Sequence, residues 1–527
     1  MGEYTLLTLV AIVVVVVLDL VVVRTRVLAT LAFWLSLAIM FAFQIPVDGW
    51  LTRLDAPIVR YGEEHFSGIR VFFDSPIEDF GFGFAMIVAT LMTWSALGRR
   101  RRSRHAGGEV PMSGSAPTPQ PGGGRTGSRS RRWGRPGPQG ACGRGPSTVV
   151  VEESFVEAVA VASPPERLLL GPGPSPVHPD VLAAQARSMI GHLDPWFLGV
   201  ADEMAAMLRH VFRTDNPLTY AVSGTGSAGM ETAVVNTVEP GDTVIVGING
   251  VFGGRIADTA RRAGADVVAL EEPWGRVIPA ERVASALKAH PNAKMVAIVH
   301  AETSTGVHQP LEDIGHLVAA TDALFLVDTV TGLGGVPLEV DAWHVDVVYS
   351  GTQKCLSVPP GLAPISFSAK AEAAIEARST TVRSWYLDVD AVRRYWGAER
   401  AYHHTAPISA IVGLHEGLRK VLEEGLESRW ARHAEVGGLF QEHIQDRDAT
   451  LLAQEGHRLP QLTSFAWPDA VDEGKLRTRL LDDHGIEVGG GLGDFKGRAW
   501  RVGLMGEGAT HANVDRLLDA IDELLES

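Results

Sequence analysis

The chain has 527 residues, 46% of them hydrophobic and 21% charged, with a formal net charge of −15; this is too long for one compact domain, and the composition excludes a collagen-like or wholly disordered chain. The charge is uneven: 5 Arg/Lys against 9 Asp/Glu in residues 1–98, 11 Arg against one Glu in 99–148, and −21 left for the rest. Such an acidic main body excludes nucleic acid as a partner, and two cysteines, Cys142 and Cys355, exclude a disulfide framework or a four-cysteine zinc site.

Residues 1–98 read as a membrane domain. Tyr4–Val23, Val27–Ile45 and Phe80–Leu97 are apolar runs, and about 20 such residues cross a bilayer. The third reaches that length if it begins near Ile77. Only Asp19 interrupts the first. Arg24 and Arg26 follow span one, and Arg99–Arg102 and Arg104 follow span three. The positive-inside rule places both sets in the cytoplasm. The expectation is a multi-pass protein in a lipid bilayer, with its N-terminus and the loop Pro46–Asp79 outside and everything after Arg104 cytoplasmic.

Within Pro76-Ile77-Glu78-Asp79-Phe80, two carboxylates stand at the mouth of an apolar span. They suit a helix N-terminus, where acids favour the positive dipole end. They also suit a proton donor at the edge of a lipid-depth pocket. This motif and the three-span layout resemble the small lycopene cyclase domain, the half-sized subunit of heterodimeric carotenoid cyclases. The resemblance implies that Glu78 protonates the polyene and that a second cyclase half-subunit is the partner. Residues 99–162 follow as a linker. Its first 50 residues hold 12 Gly and 7 Pro, which predicts disorder.

From Ser163 short β-branched strands alternate with helical stretches. The strands are Leu218–Val222, Thr243–Val246, Asp266–Leu270, Met295–His300, Leu324–Asp328, Val345–Ser350 and Pro364–Phe367. Helices such as Pro279–Ala289, with Pro279 in the first position, and Leu311–Ala320 lie between them. This predicts an α/β fold with a mainly parallel seven-stranded sheet covered on both faces. Ligands in such sheets sit beyond the carboxyl ends of the strands.

Three of those ends carry chemistry. Ser223-Gly224-Thr225-Gly226-Ser227 precedes a helix beginning near Ala228, and its amides and hydroxyls suit an anion. Asp328 ends a buried strand and needs a cation. Lys354, in Tyr349-Ser350-Gly351-Thr352-Gln353-Lys354, is an amine able to form a Schiff base. A phosphate cradle, a carboxylate for a ring nitrogen and an amine for an aldehyde are the parts that hold pyridoxal phosphate. Phe252 follows another strand and offers a flat face to the ring.

This zone resembles the class V, fold-type I pyridoxal-phosphate aminotransferases of the alanine–glyoxylate and serine–pyruvate group. The matching stretches include Leu168–Ser175, Gly191–Pro195, His300–Val307, Ser350–Lys354, Tyr402–Thr405 and Arg501–Leu504. The resemblance implies a large domain over 163–410, a small C-terminal α+β domain over 411–527 and a homodimer. It implies that Lys354 carries the cofactor and moves the substrate proton, and that Asp328 pairs with the ring nitrogen. Phe252 and Val330 would pack the two ring faces, and Thr303 would bind the ring hydroxyl. Thr225, Gly226, Ser227 and Gln353 would hold the phosphate, joined by Tyr402 and Thr405 of the neighbouring copy. Arg501 would grip the substrate carboxylate. The substrates implied are a small amino acid, alanine or serine, and a 2-oxo acid such as glyoxylate, with no metal. Ureidoglycine–glyoxylate aminotransferases share Gly351–Pro359. Cysteine desulfurases are the more distant rival, since Cys355 directly follows the lysine.

Overall fold

The computed structural model describes residues 3–52, 67, 69–71, 75–105 and 163–526. The expected linker beyond His105, and most of the expected outer loop, lie outside them. The chain divides into two compact units, one within residues 1–147 and one within 148–527.

In the first unit, three helices occupy the places of the three apolar runs: α1 (Glu3–Val17), α2 (Leu31–Thr52) and α3 (Ile77–His105). A π-helical turn, Leu18–Val22, prolongs α1. Among the described residues one helix, Glu3–Val22, is long and apolar enough by itself to cross a membrane. The other two carry polar ends: α2 continues past Ile45 through Pro46 and Asp48, and α3 runs on into the arginine cluster. Asp19, the interruption in the first run, is buried and structural. It accepts hydrogen bonds from the Val27 and Leu28 amides at 3.0 Å and from the Thr25 hydroxyl. The carboxylate thus satisfies free N–H groups at the turn between α1 and α2. Val15, Val27, Phe33, Leu37, Ala85 and Val88 form the core of this unit.

The second unit holds the expected seven-stranded sheet. Its strands are β1 (Leu218–Ser223), β2 (Thr243–Ile248), β3 (Asp266–Glu271), β4 (Met295–Val299), β5 (Leu324–Asp328), β6 (Val347–Tyr349) and β7 (Leu362–Phe367). They lie in the order β1-β7-β6-β5-β4-β2-β3. β7 runs antiparallel to both neighbours and the other pairs are parallel. All residues of β4 to β7 are buried, as a sheet covered on both faces requires. Two apolar cores, one on each face, contain Phe212, Ile298 and Phe325 on one side and Ile256, Leu326 and Phe367 on the other. Pro279 is the N-cap of the helix Ala280–Ala289, one position earlier than the sequence suggests.

Beyond the sheet, the helix Ile408–Glu424 runs through the expected boundary at 410/411. A second sheet then forms from β8 (Thr450–Leu451), β9 (Leu462–Ala466), β10 (Gly489–Gly490) and β11 (Ala499–Gly503). It is wholly antiparallel, in the order β8-β9-β11-β10. Its core centres on Trp500, Phe465, Phe440 and Ile521. Leu168–Leu169 pairs with Ile486–Glu487, which carries the start of the second unit past this smaller sheet toward Lys354.

Candidate active site

The carboxyl ends of β1, β2, β4, β5 and β6 open onto one cavity of about 200 Å³. β1 leads into α4 (Gly226–Thr237), whose N-cap is Thr225. Thr225 makes no side-chain cap bond, so its hydroxyl is available alongside Ser227 at the positive end of the helix. β2 leads into α5 (Val251–Ala263), which presents Phe252. Asp328 ends β5, and β6 runs directly into the turn bearing Gln353 and Lys354. Thr225, Gly226, Ser227, Phe252, Thr303, Asp328, Val330, Gln353 and Lys354 all line the cavity. Residues separated by more than a hundred positions are therefore brought together there.

Two of the cavity's charged groups, Lys354 and Asp328, are strongly desolvated. Lys354 is 9% exposed, and burial, with Arg501 nearby, lowers its amine to about 8. Its Nζ donates to the Pro172 carbonyl. Ser175 binds the same turn, its amide donating to the Gln353 carbonyl at 2.9 Å and its hydroxyl to the Lys354 carbonyl at 2.7 Å. Asp328 is 4% exposed. Burial raises its carboxyl, opposed by the Val330 amide donating to Oδ1 at 2.9 Å and the Tyr349 hydroxyl donating to Oδ2 at 2.7 Å. A cation beside it would offset the remaining desolvation. Thr303 Oγ1 lies 2.6 Å from Thr331 Oγ1.

Four expected site residues do not line this cavity. Arg501, on β11, is 8% exposed; its Nε donates to the Gly490 carbonyl at 2.9 Å and its Nη1 to that of Thr303 at 3.4 Å. Burial lowers its guanidinium to about 10. Tyr402 is 64% exposed, against the His192 ring, and Thr405 is exposed too. Glu78 belongs to the first unit. Tyr349, Arg255, Met230 and Ala301 line the cavity without having been singled out in the sequence. Tyr349 stands directly opposite Asp328 in the β5–β6 register, a pairing that the local sequence pattern does not show.

This donor set fits pyridoxal phosphate. The cavity combines a helix N-terminus with hydroxyls, a buried carboxylate, an aromatic face and one lysine. Gln353 Oε1 is buried with no partner among the described residues, so the amide that ends this side chain is not committed elsewhere through its oxygen. Cys355 is fully buried, its thiol is pushed up to about 12 by burial, and it points to the Thr331 carbonyl at 3.5 Å. A thiol so held is unsuited to attack a substrate sulfur.

Comparison with known proteins agrees with this geometry. The profile of the class-V aminotransferase family matches residues 181–494, and that of the lycopene cyclase family matches residues 3–97. Mouse alanine–glyoxylate aminotransferase is 40% identical over 368 residues, 69% of this chain and 89% of the mouse protein. The (S)-ureidoglycine–glyoxylate transaminase of Bacillus subtilis is 36% identical over 379 residues, 68% of this chain and 91% of its own. The crystal structure of an alanine–glyoxylate aminotransferase from Nostoc sp. superposes with a TM-score of 0.70 at 47% identity, covering 72% of this chain and all of that one. A cysteine desulfurase structure from Thermococcus onnurineus, at 15% identity, shares the fold alone. With its large mixed sheet of fold type I and its cavity at the strand ends, the chain belongs to the class-V aminotransferase family and depends on pyridoxal phosphate.

Proposed function

We propose that residues 163–527 transfer an amino group from alanine or serine to glyoxylate or another small 2-oxo acid. The observation that carries this is the single cavity joining Lys354, Asp328, Phe252 and the Thr225–Ser227 turn. Pyridoxal phosphate, when bound, supplies an aldehyde to the amino group and a ring that accepts the electrons released at Cα. Lys354 anchors it there and, with its amine lowered to about 8 by burial, takes the Cα proton and returns it. Asp328 keeps the ring nitrogen protonated. Phe252 and Val330 fix the ring plane, Thr303 binds the ring hydroxyl, and Thr225, Gly226, Ser227 and Gln353 bind the phosphate. Arg501 binds the substrate carboxylate in a two-pronged contact.

The exposure of Tyr402, Thr405 and Trp385 supports a homodimer in which the first two complete the neighbouring copy's phosphate site. The similarity to alanine–glyoxylate and ureidoglycine–glyoxylate enzymes makes glyoxylate the common acceptor. A donor–acceptor screen on the full chain tests this. Alanine or serine with glyoxylate should react fastest, whereas exclusive reaction with ureidoglycine would move the assignment to the second group.

For residues 1–98 the reading is a three-span membrane domain, N-terminus outside, that tethers a cytoplasmic enzyme and acts as one half of a carotenoid cyclase. Its support is the lycopene cyclase profile match and the state of Glu78. That side chain is 3% exposed and lies in the first turn of α3. Its Oε1 accepts from the Thr5 hydroxyl at 2.6 Å and the Ser67 amide at 2.7 Å, while Oε2 is buried with no partner among the described residues. Cells making lycopene, the full chain and a second cyclase half should form rings, and Glu78→Gln should stop them. Rings persisting in that variant would remove Glu78 as the acid.

A further inference from the structure

Glu302 is fully buried beside the cavity, and no role in the reaction described above falls to it. Its Oε2 accepts from the Phe252 amide at 3.0 Å and the Gly253 amide at 3.3 Å. Its Oε1 accepts from the Ser304 amide at 3.1 Å and the Ser304 hydroxyl at 2.5 Å. That hydroxyl in turn accepts from the Val251 amide at 2.9 Å. The Glu302–Ser304 pair therefore satisfies three of the N–H groups left free at the start of α5. All four groups facing Glu302 are donors, so both of its oxygens act as acceptors, and only a carboxylate offers two. Gly250 leaves room for this approach: a Cβ there would lie 2.4 Å from Glu302 Cδ and 2.5 Å from Ser304 Oγ. On its other side Glu302 adjoins Thr303, whose carbonyl receives the Arg501 guanidinium.

We infer that Glu302 is a positioning residue: its two carboxylate oxygens tie the start of α5, and so Phe252, to the Thr303–Ser304 strand, fixing the ring-stacking face and the Arg501 end of the site in one frame. The inference rests on the reading of Phe252 as the ring-stacking face. A neutral amide cannot substitute, because its NH₂ group would meet an N–H or O–H donor on one side or the other.

The test compares wild type with Glu302→Gln, Glu302→Asp and Ser304→Ala in the full chain. In the cofactor-free protein, amide hydrogen exchange at Val251–Gly253 should quicken at least tenfold in the Gln variant. In the loaded protein the visible circular dichroism of pyridoxal phosphate should change, and KM for the amino acid should rise by more than kcat falls. Asp should restore part of the dichroism. If the Gln variant fails to fold, Ser304→Ala decides, since it frees the Val251 amide and removes one donor to Glu302 while leaving the carboxylate in place, and should quicken exchange at Val251. Unchanged exchange and dichroism in Glu302→Gln, or unchanged Val251 exchange in Ser304→Ala, would overturn the proposal. Phe252→Ala separates the two layers: if it leaves dichroism unchanged while exchange in Glu302→Gln still quickens, the stacking role fails and the clamp stands.

Discussion

Tyr349→Phe isolates the electrostatics of Asp328. The hydroxyl donates to Asp328 Oδ2 at 2.7 Å in a fully buried setting, and the ring stays in place when only oxygen is removed. A hydrogen bond to a charged group contributes about 1.5–3 kcal/mol, so its loss raises the Asp328 carboxyl further. Burial already raises it, and the Val330 amide remains as a donor. In the proposed role Asp328 must be ionised to face a protonated ring nitrogen, so a higher value moves the acid limb of the rate profile toward higher pH. The expected result is that limb moved toward higher pH, with kcat/KM lowered about 10- to 150-fold on the acid limb and less as pH rises above it. Steady-state rates with alanine and glyoxylate across about pH 5 to 8 would show it. An acid limb in the same place, with kcat/KM within about twofold of wild type, would refute the reasoning.

Other outcomes follow from the same structure. Arg501→Lys loses the planar fork, so KM for the amino acid should rise about 10- to 100-fold with a smaller change in kcat; a KM equal to wild type would remove Arg501 from the substrate carboxylate. The buried His308 and His433 are held at about 4 and about 3 by burial, so neither binds a proton in the folded state near neutrality. Because the unfolded chain binds protons below about 6.5, stability should fall as pH drops through that value, by about 3 kcal/mol for His308 by pH ~4; a melting temperature flat between pH ~7 and ~5 would contradict this. Gly253→Ala would set a Cβ 2.4 Å from the Gly247 carbonyl oxygen and should cost about 1–3 kcal/mol by forcing α5 off β2, visible as a lower melting temperature.

The sequence carried the architecture of the second unit well because each strand is a short β-branched run and each chemical residue lies at a strand's carboxyl end. Lys354, Asp328 and Thr225–Ser227 could be singled out on that ground alone. Tyr349 and Glu302 escaped notice for one reason. Their significance is a hydrogen bond whose partner depends on strand register or on a close pass between α5 and the Thr303 strand, and neither is written in local pattern. The Pro172 carbonyl that receives Lys354 is 182 positions away. In the first unit Asp19 looked like an interruption of an apolar run, yet it caps the following turn through amides eight and nine residues on. The continuation of α2 beyond Ile45 was equally hidden, since Pro46 marks a helix end in most sequences.

The claim on which the rest depends is that one lysine carries the cofactor. The full chain, loaded with pyridoxal phosphate, reduced with borohydride and digested, would reveal by peptide mass which side chain holds the pyridoxyl group. The label should sit on Lys354 alone and vanish in Lys354→Ala; a label on another lysine, or undiminished transamination by that variant, would contradict it.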